Sequence, residues 1–177
     1  MASLLHRAGC TCCTPLVNRR GLLFGAGAAA LTPSVAFAKK ADYEAMILGC
    51  IDPRLQTPVR KYAVKRGLDN EYSQFTIAGA AIAVVAPAFA DWHKAFWDNL
   101  AATIQLHNIE SVIAIDHRDC GAARIAYGDD SISTPDKENA THKAAMGEFR
   151  KQVAERQPKL KVETILMALD GTYITFT

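Results

Sequence analysis

The sequence predicts an α/β fold, an open, mainly parallel β-sheet of about four to five strands flanked by helices. Three observations predict it. Short, β-leaning apolar runs recur at 45–48, 75–77, 111–115 and 162–167. Segments with helical patterning separate them, and that alternation builds parallel strands joined by right-handed crossovers. The chain has 177 residues, half of them apolar, which suits one domain with a single core. No internal repeat, glycine-rich phosphate loop or dividing linker interrupts the pattern.

The elements follow in order. Ala45–Leu48 is the first strand. "TPVRKYAVKRGL" predicts a helix with Thr57 as N-cap, Pro58 at the first helical position and Gly67 at its end. Phe75–Ile77 is the second strand. The next segment spaces Phe89, Trp92, Phe96, Leu100, Ala101 and Ile104 at three- and four-residue steps, predicting a helix whose apolar stripe meets the core or another subunit. Ser111–Ile115 is the third strand. "GDDSISTPDKEN", residues 128–139, predicts a mobile polar loop. A helix is then expected over 141–157, with Ala145, Phe149 and Val153 turned inward and Pro158 beyond its end. Val162–Met167 is the fourth strand, and "LMALDGTYITF" carries the last strand and its return.

Residues 1–38 read as an address and not as part of the domain. Paired Arg19 and Arg20 precede a mild Gly/Ala/Leu run, and Ala36-Phe37-Ala38 forms an A-x-A cleavage site. This predicts a cleaved signal peptide of the twin-arginine type and a periplasmic or otherwise exported protein. An amphipathic N-terminus and an uncleaved membrane anchor are the alternatives. Thr32, Pro33 and Ser34 count against a spanning helix. Residues 1–38 hold three arginines and no acid, so 17 of the 20 basic and all 18 acidic side chains lie beyond them, a net charge of −1. No polycation remains to argue for nucleic acid.

Cys10, Cys12 and Cys13 fall in that signal, leaving Cys50 and Cys120 in the domain. Two cysteines in an exported domain suit one structural disulfide, but their neighbours argue for other chemistry. In "LGCIDPRLQTP", Cys50, Asp52 and Arg54 alternate where a strand ends, so an extended backbone turns all three to one side. In "IAIDHRDCGAA", His117 and Cys120 form H-x-x-C just past another strand. Parallel α/β sheets collect chemistry at the carboxyl ends of their strands. Two thiolates and an imidazole there form a borderline-soft ligand set for four-coordinate zinc, with the fourth position open. Asp116 and Asp119 are candidates to orient the His117 ring, or are solvated turn acids. Arg118 reads as exposed, and His93, His107 and His142 as surface or packing residues. Arg124 and Tyr127 are candidates for the mouth of the site.

These residues resemble the β-class carbonic anhydrases, which carry C-x-D-x-R and H-x-x-C at the ends of adjacent parallel strands. The resemblance covers residues 45 to about 127. It implies one Zn²⁺ per chain on Cys50, His117 and Cys120, within a single zinc-binding domain over 39–177, with Asp52 and Arg54 as the active-site pair. It implies hydration of CO₂ to bicarbonate, with carbonyl sulfide or carbon disulfide hydrolysis and a catalytically silent zinc protein as alternatives. It also implies a homodimer or larger homo-oligomer. Asp52 would orient the attacking water or swing onto the metal. Arg54 would hold Asp52 off through a bidentate pair that lysine could not match. A divalent ion on two thiolates and a neutral imidazole carries no net charge. It therefore acidifies water less than one on three imidazoles, where the pKa falls to about 7, and turnover should rise above neutral pH. In "QFTIAGAAIAV", Ala78 and Gly79 stand where the family has R-N-A-G-N, without its arginine and asparagines. Ala78, Gly79 and Gly121 are read as substrate-lining. The 67 residues from Cys50 to His117 exceed the family's spacing, and the excess is assigned to 81–96.

Fusing residues 1–38 to a reporter that works only after export in the folded state should give a periplasmic signal. Arg19→Lys with Arg20→Lys should abolish it. Unchanged export of that double variant would overturn the twin-arginine assignment.

Overall fold

Strands β1 (Ala45–Gly49), β2 (Tyr72–Thr76), β3 (Ser111–His117) and β4 (Lys161–Met167) run parallel, and β5 (Tyr173–Thr175) returns antiparallel on β4. The order across the sheet is β2-β1-β3-β4-β5. This computed structural model describes residues 42–177, so the signal assigned to residues 1–38 lies outside them. All four predicted strands are present, each one or two residues longer than its apolar run, although β2 starts three residues earlier than expected and ends before Ile77. Backbone pairing continues into Gly49, Tyr72, His117 and Lys161, which hydrophobicity does not mark.

β1 is buried along its whole length, as a central parallel strand covered on both faces should be. Its side chains alternate between the two faces. Ala45 and Ile47 join Ile113, Ile115 and Ile165 beneath Leu55, Val59, Tyr62 and Ala63, which lie on and just before helix α1 (Gln56–Lys65). Met46 and Leu48 join Val112, Ala114 and Leu166 on the opposite face, beneath α3 (Ala90–His107) and α5 (Pro135–Arg156). Two shorter helices complete the layers, α2 (Ala81–Val85) and α4 (Gly121–Tyr127). No helix among the described residues is long and apolar enough to cross a membrane.

Several elements differ from the sequence reading. The chain does not stay extended from Cys50 to Arg54. Asp52 caps a 3₁₀ turn, Pro53–Leu55, which leads directly into α1, so Thr57 and Pro58 sit inside the helix instead of opening it. Arg54 therefore meets Asp52 because the backbone curls back, not because side chains alternate. Gly67, at φ +73°, ends α1 as expected.

The α3 stripe is narrower than predicted. Phe96 and Leu100 are fully buried, whereas Ala101 is exposed and Trp92 is 40 % exposed, stacked on Phe89 with ring centroids 4.5 Å apart. The extra chain at 81–96 builds α2, a second 3₁₀ turn (Pro87–Phe89) and the start of α3. The segment 128–139 is largely structured. It forms a 3₁₀ turn at Asp129–Ile132 and then the first turns of α5, capped by Thr134, whose hydroxyl accepts from the Lys137 N–H.

Phe96 is packed between Phe75 and Phe149, with centroids 5.8 and 5.6 Å away. Phe96→Ala should destabilise the fold by about 3–5 kcal/mol, measured by denaturant unfolding. A loss near zero would mean that the aromatic cluster collapses into the gap.

Candidate metal centre

β1 and β3 are paired so that Gly49 lies opposite Ile115. The residue after β1 is Cys50, and β3 continues to His117. Asp119 then takes φ +56°, a left-handed conformation that turns the chain sharply, and Cys120 caps α4 at its N-terminus. The result places one ligand atom from each of Cys50, His117 and Cys120 within 4.8 Å of the others, all three residues buried. Both cysteines are free thiols.

The donor chemistry of this cluster fits a thiophilic cation such as zinc. The His117 Nδ1–H donates to the Arg118 carbonyl at 2.8 Å, which in the neutral ring leaves Nε2 as the unprotonated nitrogen. That Nε2 is buried and has no hydrogen-bond partner. The Gly79 N–H donates to Cys50 Sγ at 3.2 Å. Cys50 is the sulfur on which charge settles. The adjoining Cys120 thiol draws its pKa well down, helped by His117 and the Gly79 amide and opposed by burial. Cys120 is pushed strongly up by the same contact and by burial. For His117 burial opposes the charged ring, but the Cys50 sulfur outweighs it and draws the pKa up. Two crowded sulfurs thus share one negative charge easily and a second only with a cation between them, and metal coordination favours the deprotonated form of each ligand.

Asp52 lies beside this cluster, its Oδ2 3.9 Å from His117 Nε2 and its side chain 15 % exposed. Arg54 grips it through Nε to Oδ1 at 3.0 Å and Nη2 to Oδ2 at 2.7 Å, while the Arg54 backbone N–H donates to Oδ1 at 2.9 Å. The guanidinium holds the Asp52 carboxyl down at about 2, against partial desolvation. The carboxylate is therefore charged at any working pH. Its contribution to stability is present above the ordinary carboxylate range and is lost as pH falls through about 2.

The far side of Arg54 is held as well, by Asp119 Oδ2 at 3.0 Å, and Arg124 braces Asp119 Oδ1 at 2.9 Å. Asp119 thus serves Arg54 and not the His117 ring. Gln56 also ties the loop, donating to the Cys50 and Asp52 carbonyls at 3.2 and 3.0 Å.

The remaining expected residues are placed as follows. Ala78 lines a shallow recess with Ile51, Thr76, Ile77, Asp91, Trp92 and Ala95. Gly79 takes φ +93°, and a Cβ there would come within 2.9 Å of the Ala122 Cβ, so a side chain is barred twice. Gly121 is exposed at the start of α4 with open space around it. Tyr127 is half-exposed at the end of α4. Asp116 is buried and bonds neither His117 nor solvent. It accepts from the Ala81 N–H at 2.9 Å and from His142 Nδ1 at 2.8 Å. Arg118 is half-buried on Glu138 and Asn139, both at 2.8 Å. His93 packs against the Ala86 carbonyl and His107 against the Ser73 hydroxyl. Glu138 was not singled out from the sequence, and His142, read there as a surface or packing residue, is buried and bonded to Asp116. The signal was there, because stepping the Ala145–Phe149–Val153 stripe back by three and seven residues lands on both.

The fold is that of the β-carbonic anhydrases, with the Cys-His-Cys cluster at the ends of two of its parallel strands. The family described as "Putative carbonic anhydrase" matches residues 40–171, and the chain belongs to it. An uncharacterized protein of Rickettsia conorii is 34 % identical over 126 residues, covering 71 % of this chain and 68 % of that one. The β-carbonic anhydrase CafD of Aspergillus fumigatus matches in structure with a TM-score of 0.50 at 12 % identity, over 81 % of this chain and 95 % of its own. A Coccomyxa β-carbonic anhydrase in complex with acetazolamide gives 0.50 at 14 % identity, over 76 % and 72 %.

Full-length protein prepared in reductant should carry about one zinc per chain. Cys50→Ser and Cys120→Ser should each lose it, measured by metal analysis beside thiol titration. Metal-free wild type with the two sulfurs joined would overturn the assignment.

Proposed function

We propose that this chain hydrates CO₂ to bicarbonate as a zinc-dependent hydro-lyase, acting as an exported homodimer or larger homo-oligomer once residues 1–38 are removed. The observation that supports it best is the pairing of the Cys50–His117–Cys120 cluster with a carboxylate, Asp52, held at its edge. Bound zinc would supply Lewis acidity, lowering the pKa of a coordinated water.

The chain's own groups do the rest. Cys50, His117 and Cys120 hold the ion, and the Gly79 amide fixes the direction of the Cys50 sulfur. Asp52, ionised and within reach of the cluster, accepts a hydrogen bond from the attacking water and so orients it. Arg54, clamped between Asp52 and Asp119, keeps the carboxylate at the edge of the cluster and not within it. That arrangement favours turnover over a silent zinc protein. Because Asp52 is already charged from about pH 2 upward, a rise in rate above neutrality cannot arise from its titration.

A second reading rests on the recess lined by Ile51, the residue that follows Cys50. Ile51, Ile77, Ala78, Trp92 and Ala95 give it an apolar lining, with Thr76 and Asp91 as its polar members. Such a wall suits a weakly polar linear molecule, so carbonyl sulfide or carbon disulfide is the alternative substrate.

CO₂ hydration should be measured by stopped flow beside carbonyl sulfide hydrolysis. Arg54→Ala and Asp52→Asn should keep zinc and lose about 30- to 1000-fold in CO₂ hydration, the usual effect of removing one transition-state contact. The wild-type rate should rise with pH above neutrality. Sulfide turnover without CO₂ turnover would establish the second reading, and zinc-loaded protein inert to both would establish the silent one.

A further inference from the structure

Helix α5 carries two buried polar residues one turn apart, on a face otherwise made of Ala145, Met146, Phe149 and Val153. Glu138 is 7 % exposed and His142 fully buried. Buried polar groups on an apolar stripe cost desolvation, and apolar replacement of a whole buried polar pair is often as stable or more so. Packing alone therefore does not account for them. Their partners do.

Both residues reach the β3 end, one on each side of His117. Ahead of it, His142 Nδ1 faces Asp116 Oδ2 at 2.8 Å and must carry the proton there. The other oxygen of Asp116 accepts the Ala81 N–H at 2.9 Å. This bond pins the turn in which Gly79 takes φ +93° and Ala80 φ +47°, and the Gly79 N–H donates to Cys50 Sγ. Behind His117, Glu138 Oε1 accepts the Asp119 N–H at 2.6 Å, and Oε2 accepts from Arg118 Nη1 at 2.8 Å. Those contacts hold the left-handed residue that sends the chain from His117 to Cys120 and presents Asp119 to Arg54. They also hold Arg118, whose carbonyl receives the His117 ring proton.

We propose that Glu138 and His142 are positioning residues of the metal centre. Glu138 sets the His117–Cys120 turn, and His142 sets the Gly79 amide on Cys50 by way of Asp116. The proposal rests on the metal-centre reading above and deepens it. A left-handed non-glycine residue and a strained alanine each cost free energy and persist only where the surroundings over-determine them. Here the surroundings are these two side chains.

The test is cobalt titration of the reduced, metal-free full-length chain, following the thiolate-to-cobalt charge-transfer and d–d bands, with zinc competition to obtain affinity. His142→Phe keeps ring volume but removes the donor. His142→Asn loses volume but can place an amide N–H where Nδ1 sits. Glu138→Ala and Glu138→Gln form the second pair, the latter serving if the alanine variant does not fold.

His142→Phe and Glu138→Ala should each lose about 10- to 100-fold in metal affinity, the usual effect of removing an outer partner of a ligand, with altered d–d bands. His142→Asn should stay near wild type in affinity and spectra, whereas metal-free His142→Phe, which leaves the buried Asp116 without its partner, should melt earlier than wild type while remaining folded. Wild-type affinity and spectra in His142→Phe and Glu138→Ala would overturn the proposal while leaving the metal reading intact. His142→Asn as weak as His142→Phe would overturn it for His142. A wild-type chain that takes up no cobalt would remove the metal reading and this proposal together.

Discussion

The register between β1 and β3 is the constraint on which everything near the cluster depends. Gly49 sits opposite Ile115, so Cys50 leaves the sheet beside the strand that goes on to His117. Neighbouring strands lie about 4.8 Å apart, and each residue advances the chain by about 3.3 Å. A slip of one position would carry the Cys50 sulfur away from the imidazole by more than a metal–ligand bond tolerates. It would also send Ile47 and Leu48 to the wrong faces. The buried apolar layers on the two faces of β1 therefore do more than stabilise the domain, because they specify the register that brings the Cys-His-Cys cluster together.

Around that cluster the buried charges are almost all answered. Asp116 has His142 and an amide, Glu138 has Arg118 and another amide, and Asp52 has Arg54. Among the described residues, the buried side-chain polar atoms without a partner are Trp97 Nε1, His117 Nε2 and His142 Nε2. The His117 nitrogen faces two sulfurs, of which Cys50 ionises readily. A donor set this complete, in a site otherwise satisfied, is the physical case for a cation there.

Two kinds of holding operate at the site. Asp52 and Arg54 lie on the surface side, with Arg54 half-exposed between two carboxylates, and their geometry depends on charge-assisted bonds that solvent partly screens. The inner side is different. There the His117 ring, the Gly79 amide and the left-handed Asp119 are fixed by bonds from buried groups on α5 and by direct packing of Gly79 against Ala122. Inner contacts define where the ligands stand, and outer ones define where the carboxylate rests beside them.

Much of this was legible in the amino-acid sequence. The alternation of apolar runs with helical patterns determined the parallel sheet, and C-x-D-x-R with H-x-x-C named the three residues that cluster and the Asp52–Arg54 pair. Both signals are local, because periodicity and short spacings survive without knowledge of neighbours. Tertiary structure alone decided three things. Arg54 reaches Asp52 through a 3₁₀ turn, because the chain must bend at once into α1. Asp119 faces the guanidinium and Asp116 faces inward, since adjacent residues on β3 point to opposite sides and the left-handed turn rotates the next. Residues 135–139 already belong to the helix that pins the site, although the stretch 128–139 reads from its composition as a polar loop. A polar residue on a helix is ordinarily solvated. Only contacts from 19 to 26 positions away along the chain decide that Glu138 and His142 are buried and bonded instead.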